Sequence, residues 1–548
     1  MAKTVIIGGV AGGASCAARL RRLDEERDII ILEKGNYISF ANCGLPYHVS
    51  GVIEKESSLL LQTPEVMKAR FRIDVRVNSE VTKIDRDNKI VTVKTADGVY
   101  EETYDTLVIA TGSSPLRPNI PGISSEKIRT IWNVNDTVKI RNYVEAEETE
   151  NVCVIGGGFI GMEMAENLVL SNKKVSLVEA ADHLMNNLDP EMAMIVEKET
   201  RKHGVDLHLS DGVSSFEDTG DKVLVHLSSG DVIEAELVIL AIGVRPNSSL
   251  AKEAGLPLNE RGGIVTDDHM RTSDPYIYAV GDVAEVTDFL SKEKTMIPLA
   301  GPANKEGRIA ADNLAGGDET YKGTQGTSIA KIFSLTAAST GYNEKTLKRK
   351  GLERGTDYET VTISQGSHAG YYPGSKPMMI KVLFDKRDLR ILGAQIVGED
   401  GVDKRIDVIS VAMRMNASVI DLKDLELAYA PPYSSAKDPV NMAGFVAENV
   451  VKGYAYFAEY DEIEKRPEAF CLDVREKREV EAYAIPGAVN IPLGQLRERI
   501  GELDLRKDCI VMCAAGVRAH TASRILQAHG FENVKIYPGG ARFYRLTH

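Results

Sequence analysis

Val152-Cys153-Val154-Ile155-Gly156-Gly157-Gly158-Phe159-Ile160-Gly161, continuing to Val175-Ser176-Leu177-Val178-Glu179, is the most informative stretch of the chain. It reads as a short apolar strand, a glycine turn, a helix of small and apolar residues, a second strand and a closing acid. Toward the start of the chain the pattern recurs. Thr4-Val5-Ile6-Ile7-Gly8-Gly9-Val10-Ala11-Gly12-Gly13 runs through a helix to Ile29-Ile30-Ile31-Leu32-Glu33. Each stretch is a βαβ unit. Two copies in strand context, each closed by Glu, make a much more specific signal than one glycine turn.

Such a turn lets the backbone approach a pyrophosphate at a helix N-terminus, and the closing acid accepts hydrogen bonds from ribose hydroxyls. Two dinucleotide sites are therefore expected, one around Gly8, Gly9, Ala11, Gly12, Gly13 and Glu33, the other around Gly156, Gly158, Phe159, Ile160, Gly161 and Glu179. In the first turn Val10 replaces the middle glycine of the usual fingerprint, so close approach there relies on the remaining glycines.

The rest of the chain narrows the class. At 548 residues it holds several domains, and 43% hydrophobic with 27% charged residues is ordinary for a globular protein. A net charge of −14 without a basic tract argues against nucleic acid. No run of about 18 apolar residues suggests a membrane span. The opening residues enter a strand at once, leaving no room for a cleavable signal. Six cysteines form no disulfide framework, and a reducing cytoplasm is expected, with no metal. Past residue 325 the pattern is mixed α+β to Ala447; a connector follows, and from Glu462 a new strand-helix alternation begins.

Two further strands end in glycine turns, Leu107-Val108-Ile109-Ala110-Thr111-Gly112 and Tyr276-Ile277-Tyr278-Ala279-Val280-Gly281-Asp282. Together with the paired turns they resemble the flavoprotein disulfide reductases with two dinucleotide-binding domains. The resemblance implies an α/β architecture: an FAD-binding domain in two parts (1–149 and 271–325), an NAD(P)H-binding domain (150–270) and an α+β dimerisation domain (326–447). It implies FAD contacts from the first turn with Lys34, Val81, Ala110, Thr111, Gly112, Gly281, Asp282, Pro298, Leu299 and Ala300, and nicotinamide contacts from the second turn with Gly243. Glu179 favours NADH over NADPH, since a carboxylate repels a 2′-phosphate.

Ser39-Phe40-Ala41-Asn42-Cys43-Gly44-Leu45-Pro46-Tyr47 carries one cysteine and no Cys-x-x-x-x-Cys pair. Its polar and glycine flanks suggest a loop or helix start, where a thiolate is stabilised. One thiol can shuttle two electrons as a mixed disulfide, sulfenic acid or persulfide. The motif resembles the coenzyme A-disulfide reductase branch of single-cysteine flavoproteins. Related peroxidases and oxidases have histidine where this chain has Val10, which weighs against peroxide chemistry. The resemblance implies CoA contacts from Ser15, Arg19, Arg22, Ser39, Asn42, Arg70 and Lys437, with Phe71 where the family often has lysine. It also implies that Tyr371 and Tyr429 reach Cys43 of a second subunit, so that a homodimer shares its active sites.

The last domain (462–548, after a linker 448–461) contains Phe470-Cys471-Leu472-Asp473-Val474-Arg475, Ile485-Pro486-Gly487-Ala488-Val489-Asn490-Ile491-Pro492 and Ile510-Val511-Met512-Cys513-Ala514-Ala515-Gly516-Val517-Arg518. A cysteine after a strand, in a short loop before a helix, can sit among several N–H donors. The three segments resemble a single-domain rhodanese, which implies that Cys513 carries sulfur and that Arg518 favours its thiolate. Cys16, Cys153, Cys471 and Cys509 are read as core. The expected activity is NAD(P)H-dependent reduction of CoA persulfide or a related small persulfide at Cys43, with sulfur handled by Cys513. The alternatives are CoA-disulfide reduction, an NADH oxidase or peroxidase, and a sulfurtransferase on a non-catalytic flavoprotein scaffold.

Overall fold

The computed structural model describes residues 2–548. The chain packs as two compact units, Met1–Ala180 with Ser210–Gly326, and Ala181–Leu209 with Thr327–His548.

In the first unit a five-stranded parallel sheet has the order Ile277–Ala279, Thr106–Ile109, Lys3–Ile7, Asp28–Leu32, Asp74–Arg76. Its central strands are buried runs of Val, Ile and Leu, as a parallel sheet requires. Helix Ala11–Leu23 covers it with Cys16, Ala17 and Leu20. Each large aliphatic side chain buried there contributes about 1.5–3 kcal/mol. The small residues of this helix let Ala300–Leu314 pack against it closely: a Cβ on Gly307 would overlap the Gly12 carbonyl. A second parallel arrangement joins Ile128–Arg129, Leu237–Leu240, Asn151–Ile155 and Lys174–Glu179.

The second unit is built on an antiparallel sheet ordered Ser328–Ile332, Leu335–Gly341, Ile391–Gly398, Pro377–Asp385, Tyr358–Gly366. Lys381 is buried in it against Asp189 (2.8 Å) and Glu191 (2.5 Å). Unpairing that lysine would strand buried carboxylates, which costs far more than a surface pair is worth. Sequence boundaries assign 181–209 to the nicotinamide-binding domain. In the structure this segment packs within the second unit, because helix Pro190–Lys202 buries Met192, Ala193, Ile195 and Val196.

The C-terminal part is a parallel sheet ordered Val489–Asn490, Phe470–Asp473, Cys509–Met512, Val534–Ile536. The connector is ordered by it: Ala458 N–H donates to Ile536 O (3.0 Å) and Tyr537 hydroxyl to Tyr460 O (2.7 Å). Among the described residues no helix is long and apolar enough to cross a membrane, and no cluster of three or more His, Cys, Asp or Glu could hold a metal.

Candidate active site

Strand register assembles the first dinucleotide cradle. Ile7 lies beside Leu32 and Ile109, and Ile109 beside Ala279, so Gly8, Glu33, Ala110 and Val280 leave one sheet edge together. Gly8 has φ +100°, and a Cβ on it would overlap the Ala110 carbonyl. The second cradle repeats this: Ile155 lies beside Val178 and Leu240, Gly156 has φ +104°, and its Cβ would overlap Ala241 O. In both turns the last glycine, Gly13 or Gly161, has no room for a Cβ against the carbonyl of the first.

The closing acids do more than the sequence reading gave them. Glu33 accepts from Gly9 N–H (2.9 Å) and Gly35 N–H (2.7 Å), and Glu179 accepts from Gly157 N–H (2.6 Å). They brace the turns by accepting from backbone N–H groups. Asp282 is mostly buried, which raises its pKa, and Ser113 hydroxyl donates to it at 2.7 Å. Glu306, lifted to about 7 by burial, accepts from Gly281 N–H at 2.7 Å and so fixes the preceding peptide. Thr111 hydroxyl donates to Asn247 O (2.7 Å), and Gly112 takes φ +62°. Val81 is buried on Glu80–Asp85; Lys34 is exposed; Pro298 and Leu299 lead into helix Ala300–Leu314. Gly158 and Gly243 belong to the second cradle's loops; Phe159, Ile160 and Gly161 open helix Phe159–Leu170. The glycine turns, the braced acids and the buried Asp282 fit FAD in the first cradle and a nicotinamide dinucleotide in the second.

Cys43 lies in the short 3-10 turn Asn42–Gly44, which feeds helix Leu45–Val49. The segment is tied to the first cradle, since Ser39 N–H donates to Gly9 O at 2.8 Å. Ser39 itself has φ +45°, a strained conformation for a non-glycine residue. Tyr47 hydroxyl then donates to Glu163 (3.4 Å) and Ser50 hydroxyl to Asn167 (2.6 Å), docking this helix on Phe159–Leu170. The cysteine is exposed. Its immediate electrostatics run against the sequence expectation: partial burial, then Glu163 and Asp282, push the thiol up rather than favouring a thiolate. Glu163 is itself raised to about 7, mainly by burial, and Tyr47 to about 12 by burial and the carboxylates of Glu163 and Glu166. Sequence reading missed Glu163; the signal was two acids inside an otherwise apolar helix, Phe-Ile-Gly-Met-Glu-Met-Ala-Glu.

The Arg19 guanidinium grips Asp312 through two bonds, 3.0 and 2.6 Å. Ser15 hydroxyl donates to Asn304. Arg22 lies over the Phe71 ring at 5.1 Å, which gives Phe71 a role as a stacking surface. Asn42 and Arg70 lie at the Cys43 turn and on helix Pro64–Phe71.

In the second unit Tyr371 and Tyr429 are hydrogen-bonded hydroxyl to hydroxyl at 2.6 Å, both exposed. Their loops are knitted by a residue the sequence did not reveal. Buried Arg405 donates to Ser367 O (2.8 Å) and pairs with Asp438 (3.0 Å), while Ala369 N–H donates to Ser434 O (2.8 Å). Lys437 is exposed beside Asp438.

The four other cysteines outside the two sulfur loops are buried, and burial pushes Cys16 and Cys471 up to about 12. Cys513 follows strand Cys509–Met512, and its Sγ accepts from Gly516 N–H at 3.1 Å. Gly516 has φ +113°, which only glycine adopts at ease. The loop is held from behind by helix Gly540–Thr547, where Ala541 N–H donates to Cys513 O (2.7 Å) and Arg542 N–H to Ala514 O (3.2 Å). Arg518 follows the loop, and both ends of its guanidinium are held by Glu479 at 2.6 and 2.7 Å.

Residues 2–307 match the pyridine nucleotide-disulphide oxidoreductase family, 327–439 its dimerisation domain, and 458–544 the rhodanese-like domain. The chain is 37% identical over 451 residues to the coenzyme A disulfide reductase of Staphylococcus aureus strain JH9, covering 82% of this chain and 100% of the relative. The crystal structure of reduced Bacillus anthracis CoADR-RHD is similar at a TM-score of 0.96 and 49% identity, covering 100% of this chain and 98% of that one. A NAD-dependent persulfide reductase from A. fulgidus is similar at a TM-score of 0.93 and 39% identity, covering 99% and 100%.

Proposed function

This chain belongs to the pyridine nucleotide-disulphide oxidoreductase family, and we propose that it reduces CoA persulfide, or a related small persulfide, at Cys43. FAD, when bound, supplies the two-electron relay from the nicotinamide to sulfur. The Cys43 thiolate attacks the inner sulfur of CoA-S-SH, forming a Cys43–CoA disulfide and expelling hydrosulfide. Two electrons and a proton then return Cys43 to the thiolate and release CoA thiol. The sum is CoA-S-SH, NADH and a proton giving CoA-SH, hydrogen sulfide and NAD+.

Ser15, Arg19, Arg22, Ser39, Asn42 and Arg70, with Lys437, are the proposed CoA contacts. Tyr371 and Tyr429 of a second subunit protonate or hydrogen-bond the departing sulfur. Their mutual hydrogen bond raises Tyr429 and holds the two hydroxyls together. Glu179 supports NADH as the donor nucleotide, and the free thiols suit a reducing cytoplasm.

The observation that carries the persulfide reading is the braced Cys513 loop on the same chain as a single-cysteine reductase site. A sulfur carrier has little use beside a plain disulfide reductase. The likeness to the persulfide reductase extends over 99% of the chain, whereas the S. aureus disulfide reductase matches 82%. That relative's name supports CoA disulfide as the second reading. Steady-state NADH oxidation with CoA persulfide and with CoA disulfide, on native and Cys43→Ser protein, tests both. Persulfide is expected to have the higher kcat/KM; a higher value for the disulfide favours the second reading, and turnover surviving Cys43→Ser rejects both.

A further inference from the structure

Rhodanese-type loops take sulfur from donors of very different charge, and the electrostatics around Cys513 discriminate among them. Between Cys513 and Arg518 the side chains are Ala514, Ala515, none at Gly516, and Val517. Arg518 is the loop's cation, and Glu479 occupies it with two hydrogen bonds of 2.6 and 2.7 Å. Arg518 holds the Glu479 carboxyl down at about 2, so the pair persists at every working pH. Glu479 is set in place independently: it heads helix Lys477–Ala482 in a reciprocal cap with Glu476, whose N–H donates to it at 3.0 Å. The arginine of the first signature segment is likewise consumed, since Arg475 binds Asp473 through contacts of 2.7 and 3.0 Å. His520, on the helix that follows the loop, has its pKa lowered by burial and by Arg524. The direct contact to the sulfur itself comes from backbone, Gly516 N–H, at the start of helix Val517–Ala528.

We propose that Glu479 is a positioning residue that sets donor choice: by cancelling Arg518 it makes the Cys513 loop a site for alkyl persulfides and against thiosulfate. This rests on the sulfur-carrier role of Cys513 given above. With an alkyl persulfide, the Cys513 thiolate attacks the outer sulfur of R-S-SH. A Cys513 S–S bond forms, the R-S–S bond breaks, and R-S⁻ leaves with one charge. With thiosulfate the same attack expels sulfite, a dianion, from a dianionic donor. Backbone N–H groups suffice for one negative charge, whereas two charges entering a recessed, apolar-lipped loop require an uncompensated cation.

The test is the second-order loading of Cys513 in the full-length holoenzyme, read by peptide mass spectrometry, with cysteine persulfide and with thiosulfate as probes. Native protein is expected to load at least about tenfold faster from the persulfide. Glu479→Gln frees Arg518 and is expected to raise the thiosulfate-to-persulfide rate ratio at least about tenfold. Glu479→Gln with Arg518→Gln returns the ratio toward the native value, which a purely structural role for Glu479 would not produce. Equal loading of native protein from both donors overturns the donor preference alone, and decides the matter even if the variants do not fold. A Glu479→Gln change that slows both donors in proportion also overturns it. No loading of Cys513 from either donor overturns the preference and the carrier role together.

Discussion

The chain carries two sulfur loops built on opposite principles. Around Cys43 the side chains are acidic and polar: Glu163, Asp282 and Tyr47 surround an exposed thiol whose pKa the protein alone pushes up. Around Cys513 the sulfur is buried, a backbone N–H reaches it, and the adjacent arginine is neutralised. The Cys513 loop is thus electrostatically complete for a monoanionic sulfur. The Cys43 loop sets two carboxylates against the thiolate, and it is tied to the first dinucleotide cradle through Ser39 and Gly9.

The separation of roles is broken most severely by exchanging the thiols. Cys43→Ser should reduce NADH oxidation with CoA substrates about 1000-fold or more, as loss of a nucleophile does. Cys513→Ser should leave CoA-disulfide reduction within about twofold, as expected for independent sites; parallel absorbance assays at saturating NADH read both. Gly516→Ala comes next. The φ of +113° cannot be kept without strain, the N–H to sulfur is lost, and sulfur loading of Cys513 should fall about 100-fold. Unchanged loading would mean that the N–H contact is incidental.

Smaller effects refine the Cys43 side. Tyr371→Phe and Tyr429→Phe should each lower kcat about 3–10-fold, the worth of one hydrogen bond, with little change in KM for NADH. Glu163→Gln removes an anion that raises Cys43, so the thiol pKa should drop. Rates of alkylation by iodoacetamide across pH read this directly, and an upward shift would reverse the assigned sign. In native protein Glu163 loses its proton near pH 7, so the thiolate should become harder to form as pH rises through that value, a drag that Glu163→Gln removes.

Much of this architecture was legible because parallel sheets write themselves plainly. The runs Val5–Ile7, Ile29–Leu32 and Val152–Ile155 are buried on both faces, and the first and last of them end in glycines that permit no side chain. Cys43 stood out because polar residues and a glycine flank it, and Cys513 because it ends a strand and opens a short loop to Arg518 before a helix. What stayed hidden was pairing at a distance. Arg19 is held by Asp312, far along the chain, and Arg518 by Glu479. Arg405 and Asp438 lie 33 positions apart with no local signal to join them, yet they are buried as a pair and knit the tyrosine loops. The segment 181–209 follows the second nucleotide motif in sequence, but its apolar helix face packs in the second unit. Local periodicity gives elements; a cation's partner depends on which elements meet.

Whether Cys43 attacks the inner sulfur of CoA persulfide is decided by a single-turnover experiment. Prereduced protein is mixed anaerobically with one equivalent of CoA persulfide without further NADH, quenched in acid, and the Cys43 peptide weighed alongside a hydrosulfide assay. The expected result is a CoA adduct on Cys43 in step with one equivalent of hydrosulfide. A persulfide on Cys43 with free CoA released, and no hydrosulfide, would contradict it.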